Sequence, residues 1–361
     1  MIIGIPKELK EHEYRVGATP SGIAKLVSAG HMVIVENKAG TGSGFPDEDY
    51  LNAGAEVSDR DRLFSVSELI VKVKEPLPSE YDLLRNGQAL FTFLHLASNP
   101  GLADMLLKKN ISAFAYETLE AGGTLPLLKP MSEIAGKMAP VIGAYYLQKV
   151  YGGEGLLLTG AGGVSPARVL ILGAGVVGMS ALEVAFGMGA QVTVINRGAE
   201  KLKQIDTLYQ GKVRTHIASE EHIESEAIAS DVMIGAVYIT GARTPKLISR
   251  GLVSRMKKGA VIVDVAVDQG GCVETTRPTT HSAPVYTIDG VIHYSVANMP
   301  GAYPRTSTLA LAERSIEYIA ILAASGIARA ISENTSIRSA LNTYKGEIMN
   351  QAVAGSVKGL H

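Results

Sequence analysis

Residues 168–196 read RVLILGAGVVGMSALEVAFGMGAQVTVIN, and they restrict the fold more tightly than any other stretch of the chain. An apolar run of β character, a glycine turn, a helix-period stretch and a second apolar run follow one another without a linker. That order is a βαβ unit, which commits its neighbours to a parallel sheet covered by crossover helices. Within the turn, Gly173 permits the tight reversal and Gly175 lets backbone approach a pyrophosphate. Gly178 lets the helix pack closely on the strand. Free N–H groups at the helix start, with its macrodipole, favour an anion there. The segment is therefore expected to hold a dinucleotide.

The second strand of such a unit usually ends on an acidic residue that bonds the adenosine ribose. Here Asn196 stands at that point, roughly 20 residues beyond the glycine turn, and Arg197 follows it. An amide can bond a ribose hydroxyl but cannot repel a 2′-phosphate, and an arginine can pair with one. These two residues point away from strict selectivity for NAD.

The alternation continues on both sides. MIIGIP, HMVIVE, ELIVKVK, QALFTFLHL and SAFAYE read as strands, and Thr19–Pro20 opens a helix that Gly30 closes. A second α/β unit begins near residue 130 with the helical MSEIAGKMAPVIGAYYLQKV. It runs through RVLILG, QVTVIN, DVMIGAV, AVIVDVAVD and HYSVANMPG. After residue 305 the pattern turns helical in STLALAERSIEYIAILAASG, and SALNTYKGEIMNQAVAG reads as a further helix. A chain of 361 residues exceeds what one core usually supports, so an α/β protein of two domains is expected.

Charge excludes several classes of partner. The formal net charge is −1, which leaves no basic field for nucleic acid or an anionic membrane. Gly, Pro166 and Arg168 interrupt the most apolar stretches, so none offers the roughly 18 apolar residues of a membrane span. The first residues lack the apolar core of a signal peptide. Cys272 is the one cysteine, so neither an internal disulfide nor a cysteine zinc site can form. A soluble cytoplasmic protein without a metal is expected.

Polar groups appear where apolar runs stop. Lys74 ends LIVKVK, His95 ends ALFTFLH, Asp268 ends AVIVDVAVD, Asn298 ends HYSVAN, and Arg15 precedes the first helix. Parallel sheets bring such ends to one edge, where ligands bind. Asp264, within the same run as Asp268, reads as structural. Arginine and lysine suit a substrate carboxylate, while histidine exchanges a proton near neutral pH. The set fits oxidation or reductive amination of a small α-amino or α-keto acid.

Longer blocks carry a resemblance. GIPKELKEHEYRVGATPSG at 4–22, VKVKEPLPSEY, FLHLA, PLLKPMSEIAGKMAP, VDVAVDQGG, RPTTH and VANMPGAYPRTST, with the glycine segment, resemble the alanine dehydrogenases. That group belongs to the alanine dehydrogenase/transhydrogenase alpha-subunit family. The resemblance implies NAD-dependent conversion of L-alanine and water to pyruvate and ammonium. It implies that Arg15 and Lys74 hold the carboxylate and that His95 and Asp268 are the acid–base residues. Ser132, Val176, Val177, Lys201, Ser219, Ile239, Val267, Arg277, Asn298 and Met299 match cofactor-contacting positions. The implied fold is two Rossmann-like, doubly wound parallel-sheet domains with the active site in the cleft between them. A substrate domain would comprise 1–128 and 306–361, and the dinucleotide domain 129–305. Hexamers, with the last helices as an assembly surface, are also implied. His12, Gly17, Phe93 and Asn196 depart from the family's usual Asn, Ala, Tyr and Asp. The alternatives are the nucleotide-binding component of a proton-translocating transhydrogenase and an NADP-accepting amino-acid dehydrogenase. The first usually lacks the histidine of FLHL and carries glutamine where this chain has Asp268.

Overall fold

In the computed structural model, which describes residues 1–237 and 244–357, the apolar runs become short strands. In chain order these are β1 (Ile2–Ile5), β2 (Met32–Glu36), β3 (Glu56–Ser58), β4 (Leu69–Val71), β5 (Ala89–Thr92) and β6 (Ser112–Ala115). Then come β7 (Arg168–Leu172), β8 (Gln191–Asn196), β9 (Arg214–Ile217), β10 (Val232–Gly235) and β11 (Val261–Asp264). β12 (Val285–Ile288), β13 (Val291–Tyr294), β14 (Leu341–Tyr344) and β15 (Glu347–Ile348) follow. The chain divides into two units, Met1–Met131 with Pro300–His361, and Ser132–Met299.

In the first unit the strand order is β15-β14-β6-β5-β4-β1-β2-β3. Strands β1 to β6 run parallel, and β14 joins β6 antiparallel. Helix α1 (Pro20–Ser28) forms where Thr19–Pro20 predicts it. The Thr19 hydroxyl accepts from the Gly22 N–H at 3.2 Å, and Gly30 turns left-handed at φ 84°.

The second unit has the order β12-β13-β11-β10-β7-β8-β9, parallel except for β12. Its direction of winding reverses between β7 and β10, the point where such sheets bind ligands. Both faces are buried. Val169 and Ile171 of β7 enter one core, while Leu170 and Leu172 enter the other. That double burial is why VLIL, after exposed Arg168, is an unbroken apolar run with no polar alternation. Each unit is thus a Rossmann-like α/β sheet.

The C-terminal reading needs correction. SALNTYKGEIMNQAVAG is not one helix: β14 and β15 form an antiparallel hairpin, and a helix starts only at Gln351. Lys345 and Gly346 both take positive φ, 50° and 77°, as a two-residue hairpin turn requires.

Candidate active site

In the second unit the glycine turn does three separate jobs. Gly173 sits at φ 103°, and a Cβ there would lie 2.7 Å from the Ala236 carbonyl oxygen at the switch point. A Cβ on Gly178 would collide with the Gly173 carbonyl. A Cβ on Gly175 would meet nothing, so that residue faces open space. Gly175 also begins the helix Val176–Gly187 without a side-chain cap, leaving its first N–H groups to an incoming anion. Two glycines are required for packing and the third for access, so the turn fits a dinucleotide pyrophosphate.

Most of the other cofactor-matching positions follow the carboxyl ends of the parallel strands, whereas Ser132 lies in the helix Leu128–Tyr146. Asn196 ends β8, and its Oδ1 accepts from the Ala174 N–H at 3.1 Å while its Nδ2 donates to the Gly198 carbonyl at 3.0 Å. Lys201 donates from Nζ to the Ala174 carbonyl at 3.0 Å. Ser219, past β9, caps the helix Glu220–Ala229 through the His222 N–H. Val267 is buried and Asp268 is exposed in the single turn Val267–Gln269 after β11. The Arg277 guanidinium lies over the Tyr286 ring, 4.2 Å from its centroid. Asn298 takes a left-handed φ of 71° and precedes the buried Met299. Val176 is exposed at the helix start, and Val177 and Ser132 are half-buried. Ile239 lies outside the described residues.

Asp264 closes β11 in a buried setting. It accepts from the Ala266 and Val273 N–H groups at 3.2 and 3.3 Å, beside the Cys272 sulfur at 3.7 Å. Burial pushes both its carboxyl and the Cys272 thiol up from their ordinary values. A group enclosed in this way supports the turn that carries Asp268.

The first unit gathers charge. Arg15 is only 2% exposed, and its fork is clamped by Glu13: Nε to Oε1 at 2.7 Å and Nη2 to Oε2 at 2.5 Å. Its Nη1 donates to the Met131 sulfur at 3.1 Å. A Cβ on Gly17 would approach the Val71 carbonyl to 2.7 Å, so this glycine lets the Arg15 loop lie against the end of β4.

Lys74 is buried just beyond β4. One carboxylate oxygen of Glu8 accepts from the Val73 and Lys74 N–H groups at 2.6 and 3.3 Å and so fixes that backbone. The other pairs with Lys72 at 3.1 Å, and Lys72 reaches Glu80 at 2.9 Å. Burial raises the Glu8 carboxyl above its usual range, against the pull of Lys72. Burial also works against the Lys72 ammonium, but Glu8 and Glu80 prevail and raise its pKa.

His95 occupies the left-handed region at φ 50°, an uncommon backbone state for a residue with a side chain. Glu117 holds it there by accepting from the His95 N–H at 2.7 Å and the Leu94 N–H at 3.2 Å. The half-exposed imidazole stacks on Phe93, with centroids 5.9 Å apart and planes at 5°. The Lys74 ammonium lies 6.0 Å from the same Phe93 ring. Burial opposes ionisation of Glu75, yet Lys74, Lys10 and His95 hold its carboxyl below the ordinary range. Lys74 and His95 therefore share one neighbourhood. Sequence reasoning missed Glu8, Glu13, Lys72, Glu75 and Glu117. Lys72 carried a signal, since a lysine inside an apolar run needs a buried counter-charge.

Residues 4–135 match the family model described as alanine dehydrogenase/PNT, N-terminal domain, and residues 139–351 match that for the C-terminal domain. The alanine dehydrogenase of Bacillus subtilis (strain 168) is 49% identical over 355 residues, covering 98% of this chain and 94% of its own. That of Halomonas elongata is 48% identical over 356 residues, with 98% and 96% covered. A solved L-alanine dehydrogenase superposes with a TM-score of 0.95 and 45% identity across the whole of both chains. A transhydrogenase from Sinorhizobium meliloti superposes with a TM-score of 0.82 at 25% identity, covering 96% of this chain and 100% of that one.

Proposed function

This chain belongs to the alanine dehydrogenase/PNT family, and from that premise we infer that it catalyses the reversible NAD-dependent oxidative deamination of L-alanine to pyruvate and ammonium. The observation that carries the residue roles is the cluster in the first unit. There, buried Lys74 and half-exposed His95 both neighbour the Phe93 ring, and Glu13 clamps buried Arg15.

NAD, when bound, supplies the acceptor for the hydride that leaves the alanine α-carbon. Gly173, Gly175 and Gly178, with the N-terminus of Val176–Gly187, would hold its pyrophosphate. Arg15 and Lys74 bind the substrate carboxylate through their positive charges, with Glu13 holding the Arg15 guanidinium in place. His95 takes a proton from the water that adds to the α-carbon, and Asp268 assists departure of the amine as ammonium. In the reverse direction the same groups return those protons to pyruvate and ammonia. Asp268 belongs to the second unit and His95 to the first.

No single helix among the described residues is long and apolar enough to cross a membrane. Together with the lone, buried Cys272, this favours a cytoplasmic enzyme. Exposed Tyr145, Tyr151, Val150 and Leu157 support a homo-oligomer, hexameric by resemblance. The deciding assay is NADH oxidation that requires pyruvate and ammonium together. A purified chain that consumes no NADH with both present refutes the dehydrogenase and favours the transhydrogenase component.

A further inference from the structure

The end of β8 is built differently from one that an acidic ribose reader would close. Asn196 bridges the glycine turn to Gly198, accepting from Ala174 and donating to the Gly198 carbonyl. A carboxylate could keep the first bond but would set a lone pair against the Gly198 carbonyl in place of the second. The turn therefore uses a donor, and the donor it uses is uncharged.

The charge around that amide is positive. The Lys201 ammonium rests on the Ala174 carbonyl at 3.0 Å, beside the turn that Asn196 ties. Arg197 is exposed and, among the described residues, makes no hydrogen bond or ion pair. The helix Ala199–Tyr209 follows at once from Gly198, which offers no side-chain cap, so its first N–H groups are open. One acid, Glu200, sits in that first turn, and it is exposed to screening water.

Resting on the dehydrogenase reading above, we propose that the adenosine end of this site accepts a 2′-phosphate, so that NADP(H) binds as well as NAD(H). Arg197 and Lys201 are then the cations that recognise the phosphate, and Asn196 is a tie that leaves the phosphate unopposed. An arginine fork matches phosphate oxygens in pairs, and Lys201 adds a point charge. An aspartate at 196 would place a negative charge against the same group.

Calorimetric titration with adenosine 2′,5′-bisphosphate and with 5′-AMP tests this without turnover, because the two ligands differ only in the 2′-phosphate. The bisphosphate is expected to bind at least about tenfold more tightly at low salt, since hydrogen bonds between charged groups are stronger than neutral ones. The advantage should shrink as salt rises. Arg197→Ala should remove most of it, Lys201→Met part of it, and Asn196→Asp should reverse it. Equal affinities in the wild type, or an advantage that survives both Arg197→Ala and Lys201→Met, overturn the proposal. A wild type that oxidises alanine with NAD while binding both ligands equally overturns this proposal alone. Failure to bind 5′-AMP, together with absence of turnover, overturns the dehydrogenase reading beneath it.

Discussion

The two units hold their working groups by opposite means. In the first, a carboxylate stands behind each group: Glu13 behind Arg15, Glu8 behind the Lys74 backbone and Glu117 behind the His95 backbone. In the second, side chains are removed: Gly173 and Gly178 allow backbone contacts that a methyl group would block, and Gly175 is left open. The difference follows from what each must bind. A small carboxylate substrate is held by side-chain charges, and a buried charge survives only with a partner. A pyrophosphate is held by backbone N–H groups, and for those the hazard is steric.

Substitutions at four positions would sharpen or break that contrast. The largest effect is expected at His95. His95→Ala should lower kcat by about 10²–10⁴-fold while 5′-AMP affinity stays nearly unchanged, because the nucleotide is held elsewhere. His95→Asn, which tolerates the left-handed backbone better, separates loss of the ring from strain. Equal losses of turnover and nucleotide affinity would mean that the division of labour is wrong.

Next comes Lys72→Met. It leaves Glu8 without its buried cation, while Glu80 keeps Arg60, and breaking a buried pair typically costs about 3–5 kcal/mol. Chemical denaturation reads this directly, and a change under 1 kcal/mol would place the pair among weak surface bridges. Gly178→Ala should cost roughly 1–3 kcal/mol through overpacking, and it should weaken 5′-AMP binding because the turn must shift. Unchanged nucleotide affinity in that variant would remove the steric account of the second unit.

The smallest effect concerns Asp264. Its folded pKa is raised above the ordinary 3.8, so over that window the folded state keeps a proton that the unfolded chain has lost. Wild-type stability should therefore fall as pH rises from about 3.8 through the folded value, and Asp264→Asn should lack that component. Melting curves for the two proteins should diverge with rising pH. Parallel curves would show that the carboxyl ionises without cost.

The glycine segment was legible because its requirements are local: a turn, a helix start and a strand fall within thirty or so residues. The tail was misread because the hairpin at Lys345–Gly346 is stabilised by pairing with β6, a partner far away in the chain. Apolar spacing alone suits a helix there, and a lysine-glycine pair is a weaker hairpin signal than asparagine-glycine. Glu13 and Glu117 escaped for a related reason. A glutamate in a polar stretch reads as solvated until a buried arginine or a left-handed histidine is found to need it. Asn196 is legible as the ribose-facing position, but its two bonds to Ala174 and Gly198 depend on how a turn closes in three dimensions.

The outer strand β14 also sets an order in time. Thr343 donates its hydroxyl to the Ile111 carbonyl across 232 residues of chain. At about 5–20 residues per second, a ribosome needs on the order of ten to fifty seconds to bridge that gap. Ser132–Met299 is contiguous and emerges whole within the interval, whereas β6 waits with one row of backbone groups unpaired. An open strand edge recruits whatever strand it meets first. Newly made chains are thus most exposed to mispairing after the second sheet is complete and before the first has its last two strands.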